Sequence, residues 1–269
     1  MGFTLKLNTK NIKTLKAVIN NLSHIIENFY IRITSKEFII MAMDDSRICL
    51  LRLELKREFF DEYECSKESR IGLSMSDLNK IMKRGTTDES FEISFKEIDN
   101  KIKIRMQRKE GKARTRTFSL KLQDDVLEDV PMHKLLAITY SAEWTMNINY
   151  IIEAIKDAEI YSEVLEIRAS NDNGIIFSSL GTIGEMEYDL DIDDLDQHKI
   201  NETNKGDFSI DFLKVIMGMS HITEKLEMSL KEGFPLKLNF DLLGGGKLDF
   251  FLAPRVDVED DDDDDFDDF

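Results

Sequence analysis

Residues 75–106 read MSDLNKIMKRGTTDESFEISFKEIDNKIKIRM, and two periodicities lie side by side in them. Leu78, Ile81 and Met82 recur at three- and four-residue steps, the spacing of one helix face, with Lys80, Lys83 and Arg84 turned away from it. Ser76 is the expected N-cap of this helix and Gly85 its stop. Phe91, Ile93 and Phe95 then alternate with Glu92 and Ser94, and Ile102, Ile104 and Met106 resume the alternation beyond Asp99-Asn100. Period two with one apolar face is the pattern of a half-buried hairpin.

Working outward, the same helix-then-strands phrase occurs four times, with helices expected at about 10–22, 75–84, 147–158 and 209–219. In the first, Ile12, Leu15, Val18, Ile19 and Leu22 form the buried stripe, and Lys10, Lys13 and Lys16 gather on another face. In the third, Ile148, Ile151, Ile152 and Ile155 point inward, with Lys156 outside beside Glu153 and Asp157. The fourth buries Ile210, Leu213, Ile216 and Met217 and exposes Lys214. Strand patterning fills the intervals, ending in Leu226 to Leu230, Leu236 to Leu242 and Leu248 to Leu252, with Gly244-Gly245-Gly246 as a hairpin turn. Gln123 to Pro131 breaks the pattern, being polar and proline-punctuated. The expectation is an α+β chain of two similar domains, 1–122 and 135–256, each with two helices packed on antiparallel sheets. A surface connector, 123–134, joins them, and an acidic tail, 257–269, follows.

The chain carries a net charge of −17, but residues 257–269 (DVEDDDDDDFDDF) hold ten acids and no base, which leaves −7 for the rest. Such a like-charge block repels itself and reads as disordered. Three roles fit it: a solubility device, a repellent of other polyanions, or a docking tail using Phe266 and Phe269. The mildly acidic body allows nucleic-acid contact if positive charge is gathered on one surface. No apolar run approaches the ~20 residues of a membrane span, and the first residues lack the apolar core of a secretory signal. Cys49 and Cys65 sit in no metal spacing and read as reduced packing residues.

No nucleophile–base set is legible, because the four histidines are scattered. The acidic run Asp189 to Asp196 has two readings: a divalent-cation site of a DNA-processing enzyme, or a strand with an acidic outer face, as the alternation of Tyr188, Leu190 and Ile192 suggests. A lysine on one helix face is ordinarily a solvated residue. Four helices in equivalent positions change that: side by side they would present Lys10, Lys13, Lys16, Lys80, Lys83, Arg84, Lys156 and Lys214 on one surface suited to phosphates. No aromatic is interleaved, which argues against stacking on single strands. Segment 101–116 is strongly basic and 185–196 strongly acidic, in comparable places of the two halves. Complementary edges at opposite ends of one molecule favour head-to-tail association, closing into a ring if the rotation permits.

Met43-Asp44-Asp45-Ser46-Arg47-Ile48-Cys49-Leu50, the run from Ser74 to Lys83, and Leu248 to Arg255 with its Leu-Ala-Pro resemble segments of the proliferating cell nuclear antigen family of sliding clamps. The resemblance runs through nearly all of 1–256. It implies a non-catalytic subunit, three of which close head-to-tail around double-stranded DNA through strands at about 113–121 and 183–191. It implies that the basic helices line the channel and that no cofactor is needed. The partners implied are the replicative DNA polymerase, a clamp loader, flap endonuclease and DNA ligase, held by a short peptide. Their pocket would be formed by Met43, Arg47, Ile48, Leu50, Val130, Pro131, Pro235, Phe251, Leu252, Ala253 and Pro254. A heterotrimer subunit is the alternative. Location would be cytoplasmic, at the nucleoid, for an archaeal member and nuclear for a eukaryotic one. The chain departs from animal members at Arg47, Glu128 and Asp129, and Glu153 and Gly218 stand where basic channel residues are expected.

Overall fold

The fold is that of a computed structural model, which describes residues 2–7, 9–86, 88–108, 114–123 and 132–255. The first half runs β1 (Gly2–Leu7), α1 (Thr9–Leu22), β2 (Asn28–Ile33), β3 (Glu37–Met43), β4 (Cys49–Lys56), β5 (Glu62–Cys65), β6 (Ser69–Ser74), α2 (Met75–Lys83), β7 (Glu89–Lys96), β8 (Lys101–Arg108) and β9 (Thr115–Lys121). A short helix, α3 (Met132–Leu136), precedes the second half. That half runs β10 (Ala142–Asn147), α4 (Ile148–Ala158), β11 (Val164–Ser170), β12 (Gly174–Gly181), β13 (Gly184–Leu190), β14 (Gln197–Ile200), β15 (Asn204–Ser209), α5 (Ile210–Met217), β16 (Lys225–Leu230), β17 (Leu236–Leu242) and β18 (Gly246–Leu252).

The order of elements in the two halves is the same, and so is every pairing within them. All pairs are antiparallel, and they build sheets of order β5-β1-β7-β8-β9, β13-β12-β11-β15 and β14-β10-β16-β17-β18-β4-β3-β2-β6. The nine-stranded sheet is two sheets fused. Its seam is the pairing of β18 with β4, in which Phe250 faces Leu51 and Phe251 faces Leu50. β9 and β13 occupy the positions of β18 and β4 in the opposite halves, and among the described residues both are outer edges.

The expected helices form where apolar residues recur at helical spacing. Ile12, Leu15, Val18, Ile19 and Leu22 are all buried, as are Ile148, Ile151, Ala154 and Ile155. The cap of α2 is Ser74 rather than Ser76: its hydroxyl accepts from the Asp77 amide at 3.4 Å, and its extended backbone sets the start of the helix two residues earlier. Gly85 follows the helix end, but not to supply a left-handed turn. A Cβ there would lie 2.0 Å from Cζ of the buried Phe91, so the glycine is required by close packing of β7. Gly244 and Gly245 do have positive φ, 94° and 91°, and make the expected turn between β17 and β18. The strand expected to continue to Ile192 ends at Leu190; residues 192–194 are a 3-10 turn in which the Asp191 carboxylate accepts from the Asp193 amide at 3.0 Å. The connector's end is likewise helical from Met132, while 124–131 and the acidic tail lie outside the described residues.

Candidate nucleic-acid interface

All four long helices lie in one row. α2 packs on α1, α1 meets α5 across the two halves, and α5 packs on α4. Polar side chains fasten the row. Asn21 Nδ2 donates to the Val215 carbonyl at 2.8 Å, joining α1 to α5, and Asn79 Nδ2 donates to Ser23 Oγ at 2.7 Å, joining α2 to the end of α1. Gly218 lies so close to Asn21 that a Cβ would stand 2.1 Å from its Nδ2. These asparagines carry no hydrophobic periodicity, and nothing in the sequence signals that they bind the helices together.

The eight basic residues all lie on this row, in different settings. Lys10, Lys13, Lys83 and Arg84 are exposed, with no ion pair among the described residues. Lys16 is half-buried; its ammonium donates to the Gly85 carbonyl at 2.5 Å and closes the C-terminal end of α2. Lys80 pairs with Asp77 at 2.8 Å. Lys214 pairs with Glu159, whose carboxylate holds the ammonium above its ordinary range and offsets its charge. Lys156 is exposed between Glu153 and Asp157. Uncompensated positive charge is thus concentrated on α1 and α2. Geometry of this kind neutralises backbone phosphates without reading bases.

A second surface lies on the far side of the seam. Met43, Leu50 and Phe251 stand side by side on β3, β4 and β18, and the register places them on one face. Leu50, Phe251 and Met132 form a small apolar cluster separate from the main core, with Met41, Met43 and Leu135 packed against it. Met132 and Leu135 come from α3, a lid the sequence did not signal. Ile48, 37% exposed, is on the neighbouring loop. That loop is held by Asp44, whose buried carboxylate accepts from the amides of Ser46, Ile48 and Cys49 at 3.0, 2.8 and 2.5 Å. Arg47 takes up a left-handed conformation, φ 60°, within it. The Ala253 amide donates to the Ile48 carbonyl at 2.8 Å, so the chain leaving β18 runs along the same rim. Pro235 precedes β17, its carbonyl bound by the Tyr140 hydroxyl at 2.9 Å. Leu252 points the other way: alternation along the strand puts it fully buried in the main core rather than beside Phe251. Ala253 and Pro254 are half-buried, and Val130 and Pro131 lie outside the described residues.

Among the described residues, no group of three or more His, Cys, Asp or Glu is placed to hold a metal ion, and no helix is long and apolar enough to cross a membrane. Four helices in a row, on a duplicated pair of sheets fused at one seam, define a two-domain clamp protein. Residues 3–129 match the family model for the N-terminal domain of proliferating cell nuclear antigen. The chain is 29% identical over 259 residues to the DNA polymerase sliding clamp of Methanothermobacter thermautotrophicus, covering 96% of this chain and all of that one. It is 29% identical over 247 residues to that of Pyrococcus horikoshii, covering 91% and 96%. A crystal structure of PCNA from Thermococcus kodakaraensis shares the fold, with a TM-score of 0.82 at 17% identity, over 94% of this chain and all of that one. The family model, the curated relatives and the fold all point to one family, the proliferating cell nuclear antigen sliding clamps.

Proposed function

We propose that this chain is a DNA sliding clamp that closes as a homotrimer around duplex DNA and tethers a DNA polymerase and other DNA-processing proteins. The observation that carries this reading is the relation between the seam and the free edges. β18 pairs with β4 inside the molecule, while β9 and β13, their counterparts, have no partner beyond them among the described residues. Pairing β9 of one copy with β13 of the next repeats the internal seam between copies. Such a head-to-tail contact closes into a ring when the rotation fits. The helix rows then face one opening, so Lys10, Lys13, Lys16, Lys80, Lys83, Arg84, Lys156 and Lys214 turn toward phosphate.

The platform role falls to the outer cluster. An apolar patch of Leu50, Phe251, Met41, Met43, Met132 and Leu135, rimmed by the 44–48 loop, suits a peptide anchored by an aromatic plug. The flexible methionines let different plugs seat there. Clamp loader, flap endonuclease and DNA ligase are the partners expected to use it besides the polymerase. The subunit acts by topology and tethering, without a catalytic step. The chain has a mass of 31.2 kDa. A homotrimer is therefore expected at about 94 kDa in light scattering of the purified chain. A monomer at micromolar concentration and low salt would refute the homotrimer; a ring formed only with a different subunit would replace it by a heterotrimer.

A further inference from the structure

The internal duplication fixes more than which edges meet. The two halves superpose strand by strand: Leu7 facing Phe91 corresponds to Met146 facing Leu226, Ile93 facing Ile104 to Met228 facing Leu238, and Ile104 facing Phe118 to Leu238 facing Phe250. Phe118 therefore stands where Phe250 stands. The other sheet gives the same kind of walk. Asn28 facing Ser74 corresponds to Val164 facing Ser209, Ile31 facing Ile40 to Ile167 facing Phe177, and Ile40 facing Leu53 to Phe177 facing Tyr188. Met186 thus stands where Leu51 stands. Since Phe250 faces Leu51 across the internal seam, Phe118 faces Met186 of the neighbouring copy. On the other face Thr117 then meets Glu187 and Ser119 meets Glu185.

The two seams differ on that outer face. Inside the molecule, the positions of Ser119 and Glu185 are Phe251 and Leu50, the apolar cluster. Between copies the same positions are short and charged. One strand further in, Arg105 lies beside Thr117 and Lys103 beside Ser119, all on one face of the β8–β9 pair. Two strand spacings, about 9.6 Å, separate Arg105 from Glu187, and only a threonine lies between. An arginine and a glutamate reaching from either side close that span, and Lys103 and Glu185 do so over a serine. Arg105, Glu185 and Glu187 have no ion pair among the described residues. Lys103 already pairs with Asp99 at 2.5 Å and has donors to share. A surface groove of about 870 Å³ runs beside β13, with Glu166, Glu185, Met186, Glu187, Asp207 and Arg255 in its walls. Arg168 lines the groove as well and pairs with Glu166 at 2.7 Å, which leaves Glu185 and Glu187 to attract a cationic occupant.

We infer that the groove beside β13 receives the cations of β8 from a second copy of this chain, in an ionic ladder of Arg105 with Glu187 and Lys103 with Glu185 that crosses the joint. This rests on the ring reading and adds a property to it: the joint between copies is salt-labile where the internal seam is not. Raising salt from 0.1 to 1 M shortens the Debye length from about 10 Å to about 3 Å and weakens exposed pairs of this kind.

The test is trimer dissociation by mass photometry across that salt range, for wild type, Arg105→Glu, Glu187→Arg and the double variant. The dissociation midpoint of the wild type is expected to rise at least tenfold with salt. Each single reversal should raise it at least tenfold at 0.1 M, and the double variant should return to within about threefold of wild type. Reversals without effect, or a double variant no better than the singles, overturn the ladder. A Phe118→Cys chain mixed with a Met186→Cys chain reports the register separately, by forming a disulfide-linked dimer. Cross-linking with a salt-independent midpoint leaves the ring standing and removes the ladder. No trimer at any salt removes the ring reading and the ladder with it.

Discussion

Single residues show how little of the site depends on hydrophobicity alone. Glu89 is buried beside the strand that forms the outer edge, and Arg116 donates to both its carboxylate oxygens at 2.7 and 2.6 Å. Burial opposes ionisation, but the Arg116 guanidinium and the Thr86 amide outweigh it and hold the carboxyl below its ordinary range. A carboxylate with a depressed folded pKa stabilises fully above its unfolded value, about 4.3, and that contribution is lost as pH falls through the folded value. Glu89→Gln is therefore expected to cost ~1–2 kcal/mol at pH 7, discounted for the partial exposure of Arg116, and almost nothing near pH 2. Urea unfolding midpoints at the two pH values measure the difference. Gly85→Ala should cost a further ~1–3 kcal/mol at either pH, because the added methyl would overlap the Phe91 ring. Neither effect is legible in sequence: Gly85 reads there as a helix stop, and Glu89 as one acid among 53 Asp and Glu residues.

At the scale of elements, the four helices were legible because each pairs an apolar stripe with a polar face, and that pattern needs no tertiary information. Their charges were legible too, but their compensation was not. Lys214 and Glu159 are 55 residues apart and meet only because α5 packs on α4. Positive charge left free by such pairs is concentrated on α1 and α2, so grip on DNA should come mainly from the first half. Replacing Lys80, Lys83 and Arg84 together by Ala is expected to lower polymerase processivity and to flatten the salt dependence of DNA retention, with more modest loss for Lys156→Ala and Lys214→Ala. Peptide binding, measured by fluorescence anisotropy, should not change in the triple variant; parallel loss of both activities would indicate misfolding instead. The helix α3 escaped sequence reading because five residues following a polar, proline-punctuated stretch show too little periodicity to register.

For the molecule as a whole, two equivalent joints have diverged. The internal seam exposes an apolar cluster on its outer face, and the proposed edge-to-edge joint between copies would be polar there. Docking of partners and closure of the ring should therefore separate by mutation. Leu50→Lys, which places a charge beside Phe251 and Met132, is expected to weaken binding of an aromatic-anchored peptide at least tenfold while the mass stays at that of the trimer. Glu187→Arg should do the reverse. Calorimetry of peptide binding alongside light scattering distinguishes the two.

By itself the sequence determined the helices, the alternating strands, the duplication and the sign of charge on each segment. These are local properties, written in periods of 3.6 and 2, and they hold wherever the segment is placed. The basic segment 101–116, expected at an edge, instead supplies the interior strand β8, paired on both sides, and the edge is β9; the acidic segment does include most of the edge strand β13. Only the tertiary structure decided which edges are spent inside the molecule and which remain free, because β4 and β18 lie about 190 residues apart and no local pattern records their pairing. The same holds for the facing of neighbours. Phe251 and Leu252 are adjacent and equally apolar, yet one lines the outer cluster and the other fills the core, since the pleat sends consecutive side chains to opposite faces and the sheet alone fixes which face is which.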